Sequence, residues 1–256
     1  MDRCYWNRMG RDYDGEIFDV FNEDTKGLVL GTVERYGCRR HAASDIGCGI
    51  GKCLPFLAAR FQSVVAVDYS RTCIAGARAV CREHGLANVS LRTMDLAGPR
   101  ARLPRVDFAL SVNSLIASSL TVRHRMLKAV SRHLRAGGHL VLVVPSAESV
   151  MLTHARRIEW NLRSGARTSS ADRAGFGPQA DADNRRLYRG ILRIDGVGTK
   201  HYTREELAVV LAGAGLRVKE TLKVEYSWKT EFPQPPRWMK APYPWDWLCV
   251  AERVTD

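Results

Sequence analysis

Ala43-Ser44-Asp45-Ile46-Gly47-Cys48-Gly49-Ile50-Gly51-Lys52 decides the fold of this chain. An apolar lead-in precedes the glycines. Leu54, Leu57, Ala58 and Phe61 then recur at helical spacing within Lys52 to Phe61, so the glycines mark a strand-to-helix turn. Gly47, Gly49 and Gly51 open backbone angles closed to other residues and let a ligand press against the main chain. The helix beyond directs its free N–H groups and the positive end of its dipole to the same place. Ser63-Val64-Val65-Ala66-Val67-Asp68 reads as a second short strand ending in a carboxylate. That acid falls about 20 residues past the first glycine, where a strand tip reaches a ribose diol. These features together specify a nucleoside-binding βαβ unit.

The spacing excludes a dinucleotide fingerprint. In G-x-G-x-x-G the third small position falls on Lys52, whose side chain obstructs the close helix-to-strand packing that glycine permits. Here the pattern is G-x-G-x-G, with Asp45 two residues before the first glycine. An acid in the loop repels a pyrophosphate and suits a ligand that carries an ammonium and a sulfonium. The stretch resembles motif I of the class I S-adenosylmethionine-dependent methyltransferases. That resemblance implies S-adenosyl-L-methionine as cofactor, held by Asp45, Gly47, Cys48 and Gly49, with Asp68 on the ribose and Tyr69 beside it.

Outward from this unit the order of elements continues the pattern. Ser70 is a natural N-cap for a helix to about His84, which Gly85 ends. Asn88 to Thr93 makes a third strand with Met94-Asp95-Leu96 at its tip; by the same resemblance Asp95 binds the adenine amino group and Leu96 supplies backbone contacts. Val106 to Val112 is a fourth strand, with Asn113 at the carboxyl end where open parallel sheets bind ligands. No proline follows Asn113, so the Asn-Pro-Pro-Tyr signature of enzymes that methylate adenine or amide nitrogen is missing. Asn113 is kept as a contact to the methionine part of the cofactor. A basic amphipathic helix, Thr121 to Leu134, precedes Gly137-Gly138 and a fifth strand, His139 to Val144. Five strands alternating with helices constitute a doubly wound α/β sheet. The resemblance extends it to seven strands, mostly parallel, with a closing hairpin near Arg217 to Trp228 and Trp247 to Arg253.

Upstream, residues 1–36 read as a helical segment, interrupted near Asn22-Glu23-Asp24, which the resemblance casts as a lid with Tyr13 over the cofactor. The methyltransferase domain is then 37–256. Residues 151–204 interrupt it as an inserted substrate cap: a helical stretch with Glu159 and Trp160, a polar, glycine-rich segment from Ser164 to Asn184, and a hairpin turning at Asp195-Gly196. Thr203 to Glu206 is a capping box for the following helix.

Composition narrows the partners. The chain has 256 residues and a formal charge of +12, from 39 Lys and Arg against 27 Asp and Glu. The insert holds eleven of the basic residues and five of the acidic ones, half of that excess. Such a balance admits nucleic acid or acidic small molecules as partners. Seven scattered cysteines, an odd number without a C-x-x-C pair, read as reduced thiols rather than a disulfide framework or a zinc site. No apolar run approaches a membrane span and the first residues are not a signal peptide, so no membrane partner and a cytoplasmic location are expected.

Methyl transfer from a sulfonium requires alignment and exclusion of water more than acid–base help. On the acceptor side the candidates are His201, Tyr188, Tyr202 and Glu159, in or bordering the insert; His201 is the one candidate base, and Tyr188 is the second catalytic candidate. The reading is methyl transfer to the oxygen or nitrogen of a small molecule. An RNA or protein acceptor, or cofactor binding without turnover, is the alternative; against RNA, no recognition-motif interleaving of aromatic and basic residues is present.

Overall fold

The computed structural model describes residues 6–8, 18–99, 101–170, 188–194 and 196–254. Tyr13, the glycine-rich stretch beyond residue 170 and Asp195 lie outside them. Seven strands form one sheet: β1 (Ala42–Ile46), β2 (Ser63–Asp68), β3 (Val89–Thr93), β4 (Val106–Val112), β5 (Leu134–Pro145), β8 (Leu216–Glu225) and β9 (Trp245–Arg253). Their order is β3-β2-β1-β4-β5-β9-β8. The first five are parallel, and β9 enters between β5 and β8 antiparallel to both. This is the seven-stranded, mostly parallel sheet expected from the sequence.

The strands are apolar on both faces because both faces are covered. Alternate residues of one strand divide between two cores. Val64 and Ala66 of β2, with Val141 and Val143 of β5, pack under the helices α2 (Leu28–Tyr36), α3 (Leu54–Arg60) and α4 (Arg71–Glu83). Val65 and Val67, with Leu140, Leu142 and Val144, pack under α5 (Leu120–His133) and α7 (Arg204–Ala212). Each fully buried Leu or Val of these cores is worth about 1.5–3 kcal/mol of transfer free energy.

Caps fall where the sequence puts them. The Ser70 hydroxyl accepts from Cys73 N, and Thr203 from Glu206 N at 3.1 Å. The reciprocal half of the Thr203 capping box is not made, because the Glu206 carboxylate binds the buried Lys200 ammonium at 2.6 Å instead. The N-terminal helix is indeed broken: α1 (Val20–Glu23) ends at Asp24, whose carboxylate accepts from Val29 N at 2.7 Å and starts α2.

Two boundaries differ from expectation. β5 begins at Leu134 rather than after Gly138, because Gly138 lacks the Cβ that would stand 3.0 Å from Asp107 O, and a register shift between Val106 and Phe108 absorbs the three extra residues of β5. β8 stops at Glu225 rather than Trp228. Ser227 caps a short 3-10 turn, Trp228–Thr230, that buries Trp228 against Phe232 and Met239.

The chain between β5 and α7 is stitched to the carboxyl edge of the sheet. Helix α6 (Ala147–Arg163) starts from Ser146, directly after β5. Hairpin strands β6 (Ile191–Ile194) and β7 (Val197–Lys200) pair with each other, and β7 also touches the segment after β4 through Lys200 N to Ile116 O at 2.8 Å. Tyr202 completes the seam, its hydroxyl donating to Leu115 O at 2.7 Å. No helix among the described residues is long and apolar enough to cross a membrane.

Candidate active site

The tips of β1, β2, β4 and β5 open on one cavity of about 510 Å³ that also takes residues from the N-terminal segment, the hairpin and β9. A volume in the range of about 300–1,000 Å³ is that of small-molecule sites. Its two ends are built differently.

At the donor end, Gly47 and Cys48 turn back on β2, their N–H groups donating to Val67 O at 2.7 and 3.0 Å. Gly47, Gly49 and Gly51 all take positive φ, at 76°, 53° and 88°. Gly47 also needs to lack a side chain, since a Cβ would sit 2.3 Å from that of Ser114. Asp68 fastens the loop: one carboxylate oxygen accepts from Gly49 N at 2.9 Å and the other from Ser70 N at 2.7 Å. Asp45 lies behind it, 5% exposed, and its pKa is pushed up to about 7 by burial and by the neighbouring charge of Asp68. Burial likewise raises the Asp68 pKa, while its backbone bonds oppose the rise. A buried carboxylate, Asp45, and a half-buried one, Asp68, around a glycine cradle form a site for a cation that carries hydroxyls, which fits the ammonium, sulfonium and ribose of S-adenosylmethionine. Tyr69, Asp95 and Leu96 line the same end, and the Asp95 carboxylate accepts from Ala97 N at 2.9 Å. Lys52 lines the cavity with its ammonium paired to Asp19, the cap of α1, at 2.6 Å. Trp6, Phe18, Asp19 and Val20 bring the N-terminal segment to the cavity wall.

The acceptor end is assembled across the chain. Asn113, the one non-glycine residue with positive φ among those described, at 47°, donates its amide N–H to Asp246 Oδ2 at 3.4 Å. Tyr226 donates to the same oxygen at 3.0 Å. Register places Asp246 opposite Pro145, so the first residues of β9 stand beside the last of β5. Ser146, Ser149, Thr199, Glu231 and Trp245 complete this wall.

His201 reaches the cavity but not as expected. It is 5% exposed, burial lowers its pKa to about 4, and Nδ1 lies 3.2 Å from Thr199 O. A carbonyl only accepts, so Nδ1 carries the proton and the imidazole is neutral. Such a group is a weak base at neutral pH. Tyr188 is 90% exposed and does not line the cavity. It stands on a turn before β6 with its ring in solvent, so the structure does not bring it to His201. Glu159 is engaged by Arg156 and Arg163 on the outer face of α6. Sequence reasoning overlooked Asp246 and Tyr226. The signal was present in Trp245-Asp246-Trp247-Leu248-Cys249-Val250, an acid inside an otherwise apolar strand.

Residues 43–138 match the family model described as a methyltransferase domain. Over these residues the chain is similar to methyltransferase domains. Among solved structures, the chain is similar to 1,6-didemethyltoxoflavin-N1-methyltransferase of Burkholderia thailandensis, solved with 1,6-didemethyltoxoflavin and S-adenosylhomocysteine. The TM-score is 0.64 at 15% identity over 99% of this chain and 87% of that one. A S-adenosylmethionine-dependent methyltransferase of Methanosarcina mazei gives 0.60 at 18% identity, covering 88% of this chain and 98% of that one. Magnesium protoporphyrin IX methyltransferase of Synechocystis, solved with S-adenosylhomocysteine, gives 0.60 at 16% identity, covering 98% and 97%. Likeness at these identities shows the fold. No curated protein matches the sequence.

Proposed function

We propose that this chain is an S-adenosylmethionine-dependent methyltransferase that transfers a methyl group to an oxygen or nitrogen of a small molecule bound at the acceptor end of the cavity. One observation carries the reading: the glycine cradle and the Asn113–Asp246–Tyr226 group line a single space of about 510 Å³. A space of that size suits a donor together with a compact acceptor. The carboxylates of Asp246 and Glu231 on the acceptor wall also disfavour a polyphosphate and suit a neutral or cationic acceptor.

When bound, S-adenosylmethionine supplies an activated methyl group on a sulfonium. We assign Gly47, Cys48 and Gly49 to the backbone cradle, with Asp45 balancing positive charge, Asp68 on the ribose, and Tyr69, Asp95 and Leu96 around the base. Asn113 sits between the two ends and orients the reacting partners. Alignment of this kind is worth several kcal/mol. His201 contributes a neutral hydrogen-bonding wall rather than a base. We infer that the N-terminal segment, with Tyr13, serves as a lid and residues 151–204 as a cap; Trp6, Phe18 and Asp19 on one side and Thr199 and His201 on the other support that division.

Calorimetric titration with S-adenosylmethionine and S-adenosylhomocysteine tests the assignment, followed by methyl transfer to panels of small phenols, amines and N–H heterocycles and to RNA. Binding in the micromolar range that disappears in Gly49→Val supports it. Absence of binding in the wild type overturns it, and turnover confined to RNA replaces the small-molecule acceptor.

A further inference from the structure

Asp246 is an acid at the start of a buried strand, 9% exposed. Its neighbours in β9, Trp245, Trp247 and Leu248, are buried apolar residues. Burying a carboxylate is costly unless hydrogen bonds compensate it. The compensation is one-sided: Tyr226 and Asn113 both donate to Oδ2, and among the described residues no hydrogen bond falls on Oδ1. Asp246 lines the cavity, and its partner Asn113 is the tip of β4 next to the donor end. A half-satisfied buried carboxylate beside the donor site is an acceptor waiting for a hydrogen.

Building on the proposed function, we propose that Asp246 Oδ1 receives the N–H or O–H of the methyl acceptor, which makes Asp246 the catalytic residue that selects a protonated nitrogen or oxygen nucleophile. The nucleophile's lone pair forms the new bond to the methyl carbon while the carbon–sulfur pair stays with sulfur. Its proton passes to Oδ1 and from there to water, so charge and atoms balance. Burial raises the Asp246 pKa to about 6, which leaves it ionised at neutral pH and a better base than an exposed carboxylate. Tyr226, Asn113 and Glu231 are the polar and charged groups that bear on it.

The geometry makes Asp246→Asn an unusually informative change. Tyr226 and Asn113 both donate, so the new amide must keep its oxygen where Oδ2 stands. The NH2 group then replaces Oδ1, and a hydrogen-bond acceptor facing the cavity becomes a donor. The probes are indole, an N–H donor, and quinoline, an acceptor of similar size, each added at millimolar concentration to the S-adenosylhomocysteine complex and followed by ligand-observed NMR. In the wild type indole is expected to bind better. In Asp246→Asn the ratio of indole to quinoline affinity should fall about 10- to 100-fold, the value of a hydrogen bond to a charged group. S-adenosylhomocysteine affinity measured alongside shows that the variant is folded.

Tyr226→Phe leaves the carboxylate in place and should keep the indole preference. An unchanged ratio in Asp246→Asn, binding of neither probe to the wild-type complex, or loss of the preference in Tyr226→Phe overturns the proposal. Failure of the wild type to bind S-adenosylhomocysteine is a different result: it removes the proposed donor site itself.

Discussion

The donor end of the cavity is written in one short run of chain, whereas the acceptor end is collected from five. Gly47, Cys48, Gly49, Asp45 and Asp68 lie within one βαβ unit, and the hydrogen bonds that fasten the glycine loop run within it, with Ser114 closing on Gly47 from beyond β4. Asn113, Ser146, His201, Tyr226 and Asp246 come from β4, the start of α6, the hairpin, the turn after β8 and β9. The donor end is held mainly by backbone N–H groups and a loop with almost no steric freedom. The acceptor end is held by side chains. A backbone site serves a constant ligand, while a side-chain site changes with few substitutions.

The contrast predicts where rigidity matters. Gly47→Ala combines a φ of 76° with a Cβ 2.3 Å from Ser114 Cβ, so it should cost about 2–4 kcal/mol in urea unfolding and abolish cofactor binding. Gly85→Ala takes a similar φ, 61°, with nothing within 4 Å, and should cost about 1 kcal/mol with cofactor affinity intact. Equal costs would break the contrast, because they would mean that the approach of Ser114 is not what constrains the loop. Asp68→Ala should weaken S-adenosylmethionine by about 1.5–3 kcal/mol in calorimetry, since a charge-assisted bond is lost and Gly49 N loses its acceptor. Unchanged affinity would remove Asp68 from the site.

Asp45 links function to stability with opposite signs. Its folded pKa of about 7 lies above the ordinary carboxylate value, so the folded protein holds a proton that the unfolded chain has released. Asp45 therefore favours the folded state at low pH, and this contribution is lost as pH rises toward 7. A cationic ligand needs the ionised form, so affinity should be steady above pH 7 and fall below it by up to about tenfold per unit, with proton release on binding near neutrality. Asp45→Asn should raise the thermal midpoint of the ligand-free protein at pH 8, weaken S-adenosylmethionine and flatten the pH dependence. A pH-independent affinity in the wild type would show that Asp45 stays ionised without ligand.

The same contrast explains what could be read in advance. Glycine spacing, β-branched runs and the caps at Ser70 and Thr203 are local signals, and the order of five strands followed from them. The strand tips Asp45, Asp68 and Asp95 were legible because position along a doubly wound sheet determines which loop faces the ligand. The pairing of β9 with β5, and Asp246 landing beside Asn113, depend on contacts more than 100 residues apart in sequence, for which spacing holds no information. His201 was legible as a position but not as a chemistry. Its pKa of about 4 follows from burial under the hairpin, which a sequence does not display.

Tyr188 sharpens this last point. Its neighbours in sequence suggested a place in the site, yet its ring is 90% exposed at the turn before β6. Gly190, two residues on, is fixed by a φ of 62° and by His201 O, which a Cβ would approach to 2.2 Å, so the turn is held by backbone rather than by the tyrosine. Tyr188→Ala should therefore change stability by less than about 0.5 kcal/mol and leave cofactor affinity unaltered, as surface substitutions do. Steady-state kinetics with an acceptor carry the decisive reading. Unchanged kcat and KM would confine the acceptor end to the wall built by Asn113, Tyr226 and Asp246. A rise in KM alone would mean that the acceptor reaches out along the hairpin to meet Tyr188, and the acceptor end would then extend one element further than the cavity does.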